Sequence, residues 1–198
     1  MNPKVSVVLS TYNHLRFLQA CTDSILGQTF KDFEFIIIND GSTDGTDLFL
    51  LDLLQKWQDP DRGVNKIQFV SHEKNWGIQK SYNEGLKWAK GDYITWVSSD
   101  NFYLPTFLEH HVKALDTHPE AMFAYSAFHW VNEGGKIIKT NYEQYLGPHA
   151  LLIENPGVAS FLYRKELHEK LGYLEEDIGL AADTDFWIRM VEEFKTVY

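Results

Sequence analysis

One cysteine, Cys21, is all that the 198 residues contain. A lone thiol excludes an internal disulfide and cannot build a thiolate metal site. Cys21 lies in an apolar helical pattern and reads as a buried structural thiol rather than a nucleophile. Basic residues are also scarce: 18 Lys and Arg stand against 28 Asp and Glu, a formal net charge of −10. A broad phosphate-backbone binder needs a basic face, so no nucleic-acid partner is expected. No apolar run approaches the roughly 20 residues that cross a bilayer, and no signal peptide precedes the first strand pattern. The expectation is a soluble, cytoplasmic chain. Two phosphate-binding signatures are missing as well. Neither GxxxxGK[ST] nor a GxGxxG after the first strand occurs, which disfavours P-loop hydrolases and dinucleotide-dependent dehydrogenases.

What is present is an ordinary globular composition, 44% hydrophobic and 15% aromatic, which excludes general disorder. The first half alternates short apolar runs with helical patterns. "VSVVLS" (5–10), "FEFIIIND" (33–40), "KIQFVSH" (66–72) and "YITWV" (93–97) read as strands. Helices are expected over about 14–28, 47–58 and 78–90. Apolar runs without alternation, separated by helices, predict a doubly wound, mostly parallel α/β sheet with helices on both faces. The second half is a looser, mixed part. "AMFAYSAFHWV" (121–131) reads as one strand, Asn132-Glu133-Gly134-Gly135 as a hairpin turn into "KIIKT", and residues 141–156 as irregular. "GVASFLY" (157–163) reads as another strand, with helices over about 164–171 and 184–195. The chain stops at Thr196-Val197-Tyr198, where a new strand begins. One domain spanning 1–198 is expected, with continuation beyond its carboxyl end left open.

In such a sheet, ligands bind beyond the carboxyl ends of the strands. Those ends carry Ser10-Thr11-Tyr12-Asn13, then Asn39-Asp40-Gly41-Ser42-Thr43-Asp44-Gly45-Thr46, then His72-Glu73-Lys74-Asn75-Trp76-Gly77, then Ser98-Ser99-Asp100-Asn101. A nucleotide fits this set: Tyr12 can wall a base, and Asp40 can accept from a base or ribose group. Singly, each stretch has a plainer reading. Ser42, Thr43 and Asp44 can cap the helix that starts near Asp47, Asn75-x-Gly77 can be a turn, and Asp100 can be a turn residue before Pro105. Their joint occurrence at four successive strand ends favours a ligand site.

The blocks "VSVVLSTYN", "IIINDGSTDGT", "NWGIQKSYNEGLKWAKGDYITWVSSDN", "GYLEE" and "AADTDFWIRM" together resemble family 2 of the glycosyltransferases, in order and at its usual spacings, over nearly the whole chain. The resemblance implies the GT-A fold and an inverting transfer of a sugar from a nucleoside-diphosphate donor to an acceptor hydroxyl, with Mn or Mg as cofactor. Residues 1–101 then form the nucleotide-sugar half and 102–198 the acceptor half. Thr11, Tyr12 and Asn13 match the first nucleotide-contacting block, and Asp40 matches the acid on the base or ribose. Asn75 and Gly77 join them from the third strand end. The family's Asp-x-Asp triplet falls on Ser98-Ser99-Asp100, so Asp100 keeps the metal-ligand position while Ser98 and Ser99 fall to the nucleotide. Asn101 replaces an acid often found next.

The family's catalytic acid pair falls on Ala182-Asp183, and Asp183 matches the general base. A helix N-cap ahead of "TDFWIRMVEEF" is the plainer reading of Asp183. Where many relatives carry arginine, this chain has Tyr82, and Lys80 is the nearby substitute cation. The donor favoured is a UDP-sugar, and the acceptor a glycan or lipid-linked glycan. That acceptor leaves room for peripheral contact with the inner face of a membrane through regions outside this chain. The neutral residues Ser98, Asn101 and Ala182 point to an alternative, a module that binds a nucleotide sugar without transferring it. A sugar nucleotidyltransferase is the other alternative, although "STYNHLRF" is not the glycine-rich basic loop that such an enzyme wants.

Overall fold

The computed structural model describes residues 2–57, 66–141 and 159–197. Strand β1 (Val5–Thr11) leads through α1 (Leu15–Leu26) to β2 (Phe33–Asn39), and α2 (Thr46–Trp57) precedes β3 (Lys66–Ser71). Helix α3 (Ile78–Trp88) then delivers β4 (Tyr93–Ser98), and α4 (Phe107–Thr117) delivers β5 (Ala121–Tyr125). The chain continues with β6 (Phe128–Val131), β7 (Ile137–Asn141), β8 (Phe161–Arg164), α5 (Leu167–Leu171), α6 (Ala182–Glu193) and β9 (Lys195–Val197). The main sheet has the order β3-β2-β1-β4-β8-β5-β9. Its first four strands run parallel, β8 is antiparallel to both β4 and β5, and β9 is parallel to β5. The expected mostly parallel α/β sheet with a mixed carboxyl-terminal part is therefore the fold.

Side chains alternate across a strand, and here both faces are apolar. Val5, Val7 and Leu9, with Phe33, Phe35 and Ile37, pack on one face against Leu18, Cys21 and Ile25 of α1 and Leu108 and Val112 of α4. Val8, Ile36, Ile38, Ile94 and Trp96 fill the other face against Leu86 of α3 and Phe186, Trp187 and Met190 of α6. Helix α3 lies close on the sheet because Gly85 has no side chain: a Cβ there would stand 2.5 Å from Val8 Cγ1. The position of α3 matters below, since consecutive residues on it reach different walls of the site.

The segment 121–131 is not one strand. Strand β5 ends at Tyr125, and the next residue, Ser126, still donates its N–H to Ser160 O at 3.0 Å with its hydroxyl 2.6 Å from that of Ser160. Beyond it Phe128–Val131 pairs with β7 in a separate two-stranded antiparallel sheet. The continuous burial of β5 is lost at this point, and residues 128–131 are half-buried or exposed. The turn at Asn132–Gly135 is the expected hairpin turn, with Asn132 Oδ1 accepting the N–H groups of Gly134 and Lys136. The expected strand over 157–163 is Phe161–Arg164, and its start, like most of 141–156, lies outside the described residues.

Candidate active site

The β8 ladder on β4 covers only Tyr93 and Ile94, so the outer edge of β4 has no strand partner there beyond Ile94. Ser98, Ser99 and Asp100 form the rim at the carboxyl end of that strand. Asp100 is exposed, Ser98 half-buried and Ser99 buried, with Ser99 Oγ 3.0 Å from His14 Nδ1. The Asn101 N–H donates to Ser98 O at 3.0 Å and closes the turn. Below the rim lies Tyr82 of α3, buried, its hydroxyl donating to Val97 O at 3.0 Å and lying 3.5 Å from Ser98 Oγ. Burial, the largest effect, and the nearby charges of Asp100 and Asp183 push the phenol pKa well up, against the lowering effect of the hydrogen bond from Ser98. It is therefore a protonated, neutral group at neutral pH. Burial followed by the charge of Asp100 pushes the Cys21 thiol up to about 12, so it is no nucleophile.

The ends of β2 and β3 are tied by Asp40. Its Oδ1 accepts the Trp76 N–H at 2.8 Å, its Oδ2 accepts the Gly77 N–H at 3.0 Å, and His72 Nδ1 lies 2.9 Å from Oδ1. The other nitrogen of His72 lies 2.6 Å from Glu84 of α3. Burial would lower the His72 pKa, but the hydrogen bonds and charges of Asp40 and Glu84 outweigh it and raise the value. The Trp76 ring stacks on the imidazole at a centroid distance of 3.9 Å, while about half of its surface stays open to solvent. Tyr12, at the end of β1 on the other side of β2, is likewise about half exposed. Two exposed aromatic rings thus flank the end of β2.

The loops after β1 and β2 brace each other. Asn13 adopts a left-handed backbone conformation, φ 53°, its N–H donating to Ser42 Oγ at 2.9 Å and its Oδ1 accepting the Thr43 N–H at 2.8 Å. Asp44 Oδ2 accepts the Leu15 N–H at 2.9 Å, and Oδ1 accepts the N–H and hydroxyl of Thr46 at 3.2 and 2.7 Å. One carboxylate therefore satisfies the first residue of both α1 and α2. The capping reading of this stretch holds for Asp44.

Asp183 sits in the first turn of α6, whose N-cap is Ala181 without a side-chain bond. Asp183 is therefore inside the helix rather than capping it. It is half-buried, its Oδ1 accepting the Thr184 N–H at 2.6 Å. Ala182 is buried in the core beneath it. Asn83 of α3 holds the chain leading there: its amide donates to Leu174 O at 2.9 Å and Glu176 at 3.1 Å, and its Oδ1 accepts the Leu174 N–H at 3.0 Å. Gln79 adds a bond to Gly179 O at 2.5 Å. Tyr82, Asn83 and Glu84 in succession thus reach the rim of β4, the approach to Asp183 and the Asp40–His72 pair.

Among the described residues, no group of three or more His, Cys, Asp or Glu side chains is placed to hold a metal ion. Asp100 is one exposed carboxylate with hydroxyls beside it. That donor set fits a hard cation that takes most of its shell from phosphate oxygens and water, and does not fit one held by protein alone.

Of the residues named from the sequence, Asp100, Ser98 and Ser99 gather at the end of β4, and Thr11, Tyr12, Asn13 and Asp40 at the neighbouring ends. Thr11 is buried with its hydroxyl unpartnered, Asn75 is exposed, and Gly77 opens α3 with φ 99°. Lys80 is exposed and two residues from Tyr82, about 200° around the helix, on the side away from the buried phenol. Sequence reasoning missed His72, Glu84 and the holding role of Asn83. A histidine at a strand end opposite an acid was the one available signal.

A polar cluster at the carboxyl ends of parallel strands, at the switch in strand order between β1 and β4, is where α/β proteins of this class bind ligands. The chain belongs to the family described as Glycosyl transferase family 2, whose sequence profile matches residues 6–172. An uncharacterised glycosyltransferase of Methanocaldococcus jannaschii is 29% identical over 96% of this chain and 65% of its own length. Chondroitin synthase of Pasteurella multocida is 33% identical over 71% of this chain but only 14% of that protein. This chain thus spans less than two thirds of these relatives. Among solved structures, S. aureus TarS in complex with UDP-GlcNAc has a TM-score of 0.79 at 22% identity, covering 98% of this chain and 56% of that one. The mannosyltransferase PcManGT from Pyrobaculum calidifontis, in complex with GDP-Man and Mn2+, has a TM-score of 0.72 at 17% identity, covering 100% and 55%. At those identities the likeness establishes the fold.

Proposed function

We propose that this chain is the catalytic domain of a glycosyltransferase that moves a sugar from a nucleoside-diphosphate sugar to an acceptor hydroxyl with inversion. The donor favoured is a UDP-sugar, and the acceptor a glycan or lipid-linked glycan. The observation that carries the reading is the gathering of Asp40, Ser98, Ser99 and Asp100 at the carboxyl ends of the parallel strands, with Asp183 held in the first turn of α6. The UDP-GlcNAc and GDP-Man bound by structures of the same fold support a nucleotide sugar as donor.

Displacement at the anomeric carbon needs an activated hydroxyl on one face and a stabilised leaving group on the other. Asp183 takes the proton of the attacking acceptor hydroxyl. Its Oδ1 accepts the N–H and hydroxyl of Thr184, and its Oδ2 accepts no hydrogen bond among the described residues. Asp100 would hold a divalent cation, Mn or Mg, and that cation would offset charge on the diphosphate leaving group. Tyr12 walls the base, and Asp40 fixes the Trp76–Gly77 loop beside it.

A thermal-shift panel of UDP-, GDP- and dTDP-sugars, with and without Mn, tests the donor side. Stabilisation by one nucleotide that deepens with Mn, and no longer deepens in Asp100→Ala, is expected. Stabilisation that ignores the metal in the unaltered protein removes Asp100 from its role. The buried Ala182, where the family carries an acid, favours a second reading: a binding module that holds the donor without transferring it.

A further inference from the structure

Trp76 is held more firmly than a half-exposed loop residue ordinarily is. Its N–H donates to Asp40 Oδ1 at 2.8 Å, and the next N–H, of Gly77, donates to Oδ2 at 3.0 Å. Asp40 is itself buried and is linked through His72 to Glu84 of α3. The loop after β2 closes on the same segment: a Cβ on Gly41 would stand 2.7 Å from the Asn75 nitrogen. The indole lies on the His72 imidazole with centroids 3.9 Å apart and planes 17° from parallel. That imidazole is almost fully buried beneath it, so the half of the indole left open includes its opposite face. A flat π surface that is already fixed takes a planar aromatic ligand at little cost in ordering.

The place of the ring says which ligand. The four parallel strands end level, Ser71 beside Asn39, Asn39 beside Thr11 and Ser10 beside Ser98. The Trp76 loop follows β3 and is tied to the end of β2, so it stands two to three strand spacings from the end of β4 and Asp100, about 10–14 Å. That span suits the reach of an extended nucleoside diphosphate from its base to its terminal phosphate.

We propose that the Trp76 indole is a platform on which the donor's nucleobase stacks, with Asp40 and His72 as the residues that position it. The proposal rests on the nucleotide-sugar reading above, and sets a second ring on the β3 side of Asp40 opposite Tyr12 on the β1 side. The plainer role, an apolar cover over the Asp40–His72 pair, needs bulk but no aromatic face.

Calorimetric titration with UDP, GDP and dTDP in Mg, joined to indole fluorescence, separates the two roles. A stacked base quenches the indole that it touches. The tightest of the three nucleotides is therefore expected to quench the unaltered protein and to lose most of that quench in Trp76→Phe. Affinity should stay within about threefold in Trp76→Phe and fall roughly 10-fold in Trp76→Leu, which keeps the cover and removes the ring. The proposal is overturned if Trp76→Leu binds as the unaltered protein does. It is overturned equally if the quench is absent from the unaltered protein or survives undiminished in Trp76→Phe. Should Trp76→Leu fail to fold, the quench in Trp76→Phe decides alone. An unaltered protein that binds none of the three nucleotides contradicts the donor reading itself, which is a different result.

Discussion

His72 Nδ1 stands 2.9 Å from Asp40 Oδ1, and both side chains are almost fully buried. The pair joins the ends of β3 and β2, and Glu84 on the far ring nitrogen extends the link to α3. A buried imidazole with a carboxylate on each nitrogen favours its charged form. The loop 72–77, with Trp76 stacked on that ring, is therefore held by electrostatics as much as by packing.

Stability should depend on pH through this group. The folded-state pKa of His72 is raised, so its contribution is fully present below the unfolded value of about 6.5 and is lost as pH rises through the folded value. Urea midpoints of the unaltered protein and His72→Gln, measured from pH 6 to pH 9, should differ most at pH 6. The gap should be roughly 2 kcal/mol there and narrow with rising pH. A gap that is flat across the range would remove the charged clasp.

Asp44 should matter more than an exposed loop acid usually does, because it serves two helix starts. Asp44→Ala is expected to cost about 1 kcal/mol per start, or about 2 kcal/mol in all. Burial acts to raise its pKa, but the hydrogen bonds from Thr46 and Leu15 outweigh it and hold the value below the usual carboxylate range. Its contribution is thus present above about pH 4 and is lost as pH falls through the depressed folded value. Chemical denaturation at pH 7 and pH 3 should show the cost of Asp44→Ala shrinking in acid.

Asn83 makes three hydrogen bonds to the segment that leads toward Asp183. Asn83→Ala should leave nucleotide affinity within about threefold, since none of those bonds touches the strand ends, while costing about 2 kcal/mol of stability. Any catalytic rate should fall by more than tenfold from misplacement of the base. Nucleotide titration and turnover measured on the same preparation decide this. Parallel losses in affinity and rate would show that Asn83 supports the whole cleft instead.

The parallel half of the sheet was legible because β1 and β2 are unbroken apolar runs, and their polar ends follow from where such runs stop. The break at Ser126 was not, since "AMFAYSAFHWV" keeps a strand-like pattern and the pairing with Ser160 joins residues 34 apart in sequence. Asp40 was found by type and place, but its partners His72 and Glu84 come from two other elements and leave no local pattern. The structure also separates the two carboxylates by character: Asp100 lies open at a turn, and Asp183 lies within a helix turn over the buried Ala182. Spacing alone could not tell that helix position from a cap.

The central claim is tested most directly by release of nucleoside diphosphate from UDP-, GDP- and dTDP-sugars in Mn, with a glycan acceptor, by the unaltered protein and by Asp183→Asn. The account predicts release from one donor class, falling on the order of 100-fold in Asp183→Asn while donor affinity stays within about threefold. Donor bound tightly but never cleaved by the unaltered protein, or cleaved equally well by Asp183→Asn, would contradict it.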